Sequence, residues 1–430
     1  MTVMKKNITF KKLTLGLLLG TSLLSSAAPD AAAPLDVNDV SFLWPVPKTA
    51  DDEKTLISAD ELLADGGAGP VWRKDFFDRV IADAKKAKVK FPGGESSVQF
   101  SDAAIEKAHT WKVAGIRFNP SQLGTVGGKA SPIGEAPGIR FIMQPVTVDG
   151  ESVLVHDVTA HVVFSLFDVA PPPAGSPMPV ITPDREAFKA VVAKLRALKE
   201  LTETKAPTKG PLNVHPALKS KMPEFAAGVR DLLKVSLKSK QLQTVSFMGI
   251  EPPEPWIFFA VKQKGAEFVT EGAQGFQFKN VVEPKTTKPG QEVTTALLFG
   301  TGAGSKLNSP ALPSTQNEKL KGLLLKDVAD HVANPELHST LNMDCVSCHT
   351  ESTRRSILKI GASSPGVAYK HPDGVSGVEP SLLPTDLWNL RNFGWGLLSF
   401  SEDIFGPTVS QRAANEAAES AAFINENYKP

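Results

Sequence analysis

The sequence predicts an α+β domain over residues 36–282, followed by a mainly α-helical domain over residues 319–430. Three observations predict it. In the first part, segments in which β-branched and aromatic residues alternate with polar ones are interleaved with segments of helical period. From 283 to 318 the chain becomes rich in Pro, Gly, Ser and Thr, the composition of a surface connector. Beyond it, Asn317–Ala333 and Thr408–Asn427 carry apolar and small residues at helical spacing.

The 430-residue chain opens with Lys5, Lys6, Lys11 and Lys12, an apolar run Leu13–Leu24 too short to span a bilayer, and small residues from Ser25 to Ala28. That order predicts a secretory signal peptide over 1–27, cleaved at or close to Ala27. No Cys follows the run, so a lipid-anchored form is not expected. No later segment is apolar enough to span a membrane, and the mature protein is expected to be soluble and periplasmic or otherwise extracytoplasmic. With 41% apolar and 22% charged residues the chain is ordinary for a folded protein, and a net charge of +1 gives no sign of a nucleic-acid or anionic-membrane partner.

Asp36–Pro47 (DVNDVSFLWPVP) is a Pro-punctuated extended start. Trp72–Lys86 puts Phe76, Phe77, Val80 and Ile81 on one helical face. Thr110–Phe118, Ile139–Val146 and Val153–Phe167 read as strands. Asp184–Leu201 reads as a helix beginning at Thr182-Pro183, and Pro216–Lys238 as another, with Phe225, Val229, Leu232 and Leu233 toward the core. Thr244–Ile250 and Trp256–Val261 return to strand chemistry. In the C-terminal part, Asn317–Ala333 carries an apolar helical stripe. Thr408–Asn427 opens with a capping box, Thr408 and Gln411, and lines up Val409, Ala413, Ala417, Ala421 and Ile424. Trp388, Phe393, Trp395, Phe400 and Phe405 lie between, suited to lining an apolar pocket or to plain core packing.

Cys345-Val346-Ser347-Cys348-His349 matches C-x-x-C-H, the c-type haem attachment pattern. Two thiols three positions apart reach two vinyl groups on one porphyrin edge, and the next residue then offers an imidazole nitrogen to the iron. The motif makes the C-terminal part, in expectation, a cytochrome c-like domain with one covalent haem. Three other readings are weaker. A disulfide between Cys345 and Cys348 would close a very small loop and stabilise little. A thioredoxin-like pair needs a preceding strand that Leu337–Asp344 does not resemble. Zinc would need further ligands, from His338 or His331.

The second axial ligand is less legible. No Met follows His349, and Met343 sits on the thioether side of the motif. His338, in a polar segment after Asn334-Pro335, ranks first. His371, in the Gly/Pro-rich loop 364–377, ranks second, and His331 shares a helical face with Leu320, Leu324 and Val328. An open sixth position is the remaining alternative. Arg354 and Arg355 are placed to pair with haem propionates or to be solvated. In the N-terminal part, His156 and His161 are five apart on an expected strand and so face opposite sides, a poor metal pair; Asp157 and His161 share a face. His215 fits a packing position at a helix start, and no nucleophile triad, carboxylate pair or phosphate loop stands out.

The chain resembles a family of bacterial secreted proteins with a single C-terminal C-x-x-C-H. The matching segments are Asp39–Pro47, Pro211–Leu218, Asn334-Pro335 with His338 ahead of Asp344–His349, and Ser410–Ala417. The resemblance implies the architecture and haem attachment but no substrate. Electron transfer with a redox partner protein is the leading expectation. A haem-dependent oxidoreductase or peroxidase using the N-terminal domain as substrate module is the first alternative, and a haem-based sensor or binding module the second.

Overall fold

The computed structural model describes residues 33–63, 72–86, 88–91, 94–97, 103–119, 125–126, 129–130, 138–170, 180–237, 241–249, 256–264, 267–276, 326, 329–330, 332–336, 345–357, 369–371, 377–385, 389, 391–399 and 404–429. The expected signal peptide, the 283–318 connector and most of the 317–333 helix lie outside the described residues.

Eight strands make one antiparallel sheet: β1 (Ser41–Leu43), β2 (Trp111–Asn119), β3 (Gly138–Asp149), β4 (Ser152–Val155), β5 (Val158–Ser165), β6 (Leu242–Gly249), β7 (Trp256–Lys264) and β8 (Glu267–Phe276). Their order across the sheet is β1-β2-β3-β5-β6-β7-β8, with β4 pairing β3. Register assigns each residue to a face, because directly opposed residues of antiparallel neighbours point the same way. One rung is Ile116, Phe141, Val162, Val245 and Val261, all fully buried. The adjacent rungs, on the opposite face, are Gly115, Ile142, His161, Ser246 and Ala260, then Arg117, Arg140, Val163, Thr244 and Lys262. The sheet therefore has an apolar face and a markedly polar one.

Helix α1 (Lys74–Lys86) buries Phe76, Phe77, Val80, Ile81 and Ala84 at the spacing the sequence shows. Helix α2 (Arg185–Thr202) starts at Asp184, whose carboxylate accepts from the Ala187 N–H at 3.0 Å. The helix expected over 216–238 is two helices, α3 (Pro216–Lys219) and α4 (Pro223–Ser236). Pro223 disfavours helical backbone at Met222, and Lys221 turns the chain at φ 54°. Phe225 of α4 packs edge-on to Phe42 of β1, covering the apolar face. The strand expected over 153–167 is interrupted at His156-Asp157, which separate β4 from β5.

The C-terminal part departs from expectation. It is not a mainly α-helical cytochrome c-like domain. Between α5 (Cys345–Ile357) and α6 (Gln411–Asn427) it carries an antiparallel hairpin, β9 (Phe393–Ser399) and β10 (Ile404–Val409). Phe393 and Trp395 alternate with Gly394 and Gly396, a period of two, so the aromatics belong to a strand. Both are buried, Phe405 is half-buried, and Trp388 and Phe400 lie outside the described residues. Thr408 belongs to β10 and not to a capping box: Ser410 caps α6, accepting from the Ala413 N–H at 3.1 Å.

The described residues between 34 and 429 form one compact unit, and one hydrophobic core joins Val162 and Phe225 to Trp395 and Ala417. The C-terminal elements cover the polar face. Gln144 of β3 donates to the Trp395 carbonyl at 2.8 Å and accepts from its N–H at 2.6 Å, while Arg117 of β2 pairs with Glu416 of α6. Phe393 lies so close over Gly115 that a Cβ there would come within 2.5 Å of its ring. No helix among the described residues is long and apolar enough to cross a membrane.

Candidate haem-attachment site

The C-x-x-C-H residues open α5, so positions 345, 348 and 349 fall at i, i+3 and i+4 of one helix and share a face. Cys348 and His349 are half-buried. The Asn392 amide donates to Cys348 Sγ at 3.2 Å. The next turn is deeply packed: Thr350, Glu351, Ser352 and Thr353 are all buried. Thr353 Oγ1 donates to the Asn389 carbonyl at 2.9 Å, and Ser352 Oγ accepts from the Gln411 N–H at 2.8 Å, fastening α5 to the hairpin approach and to the start of α6.

Arg355 is engaged inside the protein, with Nε 2.6 Å from Glu351 and an Nη2 nitrogen 2.9 Å from Asp330. Burial works against its charge, but the two carboxylates override burial and raise its pKa. Its place is therefore that of a brace between α5 and the segment before the motif. The Arg354 side chain lies outside the described residues. Arg412 and Asn415 of α6 hold the same segment from the other side, donating to the carbonyls of Asn334 at 2.9 Å and Ala333 at 2.7 Å.

Of the histidines weighed as second ligands, His331 and His338 lie outside the described residues. His371 is half-buried and meets Tyr369 edge-on at 4.9 Å, with the Tyr369 hydroxyl donating to Glu419 of α6. The imidazole that does meet His349 is His161, from the centre of the sheet. Their ring centroids are 6.1 Å apart and their planes inclined at 35°. Burial, then the charges of Arg140, His349, Arg117 and Arg391, push His161 well below the ordinary imidazole range.

Close by, Arg391 bonds Asp157 and donates to the Met248 carbonyl at 3.1 Å, and all three lie in the interior. Asp157 and His161, which share a face by spacing, thus have separate roles: one anchors the C-terminal segment, the other faces α5. His156 is bonded instead to Thr147 Oγ1 at 3.0 Å. His215 caps α3, its Nδ1 accepting from the Ala217 N–H at 3.3 Å, and stacks on Phe225 at 4.2 Å.

Sequence reasoning set His161 aside because it weighed that residue only against its sequence neighbours His156 and Asp157. Its mark was a titratable side chain on a strand whose alternate residues Val158, Ala160, Val162 and Phe164 are apolar. No family model matches the chain, and no curated protein or solved structure proves similar to it.

Proposed function

We propose that the protein is an extracytoplasmic c-type cytochrome that binds one haem covalently and transfers electrons to or from a partner protein. The observation that carries this reading is C-x-x-C-H at the start of a helix, with Cys348 and His349 half-buried and accessible on the face turned to the sheet. The resemblance of the motif-bearing segments to secreted proteins with the same signature supports it, as does the signal-like leader. The residues present fit the group: Cys345, Cys348 and His349 stand at i, i+3 and i+4 of one helix, two thiols for two vinyl groups and an imidazole for the iron. An iron at His349 needs most of its donors from elsewhere, which is what a porphyrin supplies.

Attachment would add each thiol across a vinyl double bond, sulfur to one carbon and the thiol proton to the other, so that no atom is lost. When bound, the haem supplies a one-electron couple. The chain supplies rigidity. His349 is held by a helix whose following turn is buried and bonded to two other segments, so its ring moves little between oxidation states, as fast electron exchange requires. Asn392 holds the Cys348 sulfur from the side.

Expression in a periplasm equipped with cytochrome maturation enzymes tests the reading. The expected product is coloured, keeps haem on the denatured chain, gains the mass of one haem, and loses all three properties in Cys345→Ser/Cys348→Ser. A colourless product of unmodified mass would overturn it.

A further inference from the structure

We propose that His161 is the second axial ligand of the iron, so that the haem is held between α5 and the polar face of the sheet. The inference rests on the cytochrome reading above. Three observations carry it.

The first is spacing. The His161 and His349 centroids stand 6.1 Å apart, whereas the genuinely stacked pair in this molecule, His215 and Phe225, closes to 4.2 Å with planes 16° apart. The two histidines are thus not in stacking contact. An atom bonded at about 2 Å to each of two opposed imidazole nitrogens sets ring centres roughly 6 Å apart.

The second is the donor count. Two imidazoles meet here with no third His, Cys, Asp or Glu to complete a cage among the described residues. Two axial nitrogens and four equatorial ones from a macrocycle make up a six-coordinate iron.

The third is rigidity. His161 lies on β5, hydrogen-bonded on both sides by β3 and β6, and is opposed by Ile142 and Ser246. A ligand on an interior strand is held more precisely than one on a loop. His371, by contrast, is packed with Tyr369, itself tied to α6 through Glu419.

The consequence for function is a closed coordination sphere. Both positions on the iron are taken by nitrogen, which favours electron transfer over binding of oxygen, peroxide or carbon monoxide.

The test is optical and paramagnetic-resonance spectroscopy of the matured protein, with carbon monoxide added to the reduced form. Samples are wild type, His161→Ala, His161→Met, His338→Ala and His371→Ala. Wild type is expected to be low-spin with two nitrogen ligands and indifferent to carbon monoxide. His161→Ala should become high-spin and bind carbon monoxide. His161→Met should show mixed nitrogen and sulfur ligation, a signature that a merely structural role would not produce, and the other two variants should match wild type.

A haem-bearing His161→Ala that stays low-spin and inert to carbon monoxide would overturn the proposal, as would loss of the low-spin state in His338→Ala or His371→Ala alone. Should His161→Ala fail to accumulate, the wild-type spectrum decides: a high-spin iron that binds carbon monoxide refutes a second histidine. Absence of haem from every sample, wild type included, is the separate failure of the cytochrome reading.

Discussion

The two faces of the sheet are built from the same strands by different physics. On the apolar face, Phe141, Val162 and Val245 pack with no polar atoms to satisfy, and the cover is helical, with Phe225 of α4 against Phe42. On the polar face, Arg117, Gln144 and His161 are covered as well, yet each must meet a specific group: Glu416, the Trp395 backbone and His349 respectively. Burial alone drives the first contact set, since any apolar surface of suitable shape will do. The second tolerates only a cover carrying the complementary groups, because an unpaired buried polar atom costs more than a paired one contributes. The C-terminal part is therefore specified by the polar face, and the candidate site sits where the two meet.

The largest expected effect tests that specificity at Arg391. Its guanidinium and the Asp157 carboxylate are both buried, so Arg391→Ala leaves a charge without its partner and should cost roughly 3–5 kcal/mol. Replacing both residues, as Arg391→Met with Asp157→Leu, should recover more than half of the loss, read from urea unfolding midpoints. A single variant within about 1 kcal/mol of wild type would show that the polar contacts do not hold the cover in place.

A smaller effect is expected where the two parts touch without polar groups. Gly115→Ala places a Cβ about 2.5 Å from the Phe393 ring and should cost roughly 1–3 kcal/mol through overpacking. Adding Phe393→Leu should relieve much of it. Strict additivity of the two substitutions would mean that the hairpin does not press on β2 at this point.

The same contrast explains what could be read from the sequence. Several strands of the sheet are visible to within one to three residues, because alternation is local: Thr110–Phe118 is realised as Trp111–Asn119, and Ile139–Val146 falls inside Gly138–Asp149, whereas β8 was not anticipated. Helix α1 is visible for the same reason. The hairpin Phe393–Val409 was not, since its aromatics also suit a pocket lining and its glycines, Gly394 at φ 138° among them, weaken the strand pattern. The break at Lys221 was hidden because helical period continues in sequence on both sides of Pro223.

At the candidate site, Cys345, Cys348 and His349 are legible because five consecutive residues carry the motif. His161 is not, since only the folded sheet brings it to His349. Two of the segments quoted for the family resemblance behave alike: the His215 N–H donates to the Leu43 carbonyl at 3.0 Å. That contact has no signature in either segment alone.

The smallest effect at neutral pH, and the most discriminating one in acid, separates the faces by titration. On the apolar side, burial lowers the pKa of His215 from 6.5 to about 3. On the polar side, burial raises Glu416, but the charges of Arg412, Arg117 and Arg140 outweigh it and bring the pKa from 4.5 to about 2. Both folded values lie below the unfolded ones, so in each case the unfolded chain takes up the proton first and stability falls with falling pH. The windows differ: the His215 contribution is complete above about 6.5 and drains toward about 3, whereas that of Glu416 is complete above about 4.5 and drains toward about 2. His215→Asn keeps an acceptor for the Ala217 N–H and loses the ring stacked on Phe225, costing about 1 kcal/mol at pH 7. Its unfolding midpoint should fall less steeply than that of wild type between about pH 6.5 and 3, the Glu416 contribution draining in both proteins below about 4.5, and the two curves should run parallel only below about 3. An unchanged slope in the upper window would mean that His215 already carries its proton in the folded state, which an apolar face of this kind does not accommodate.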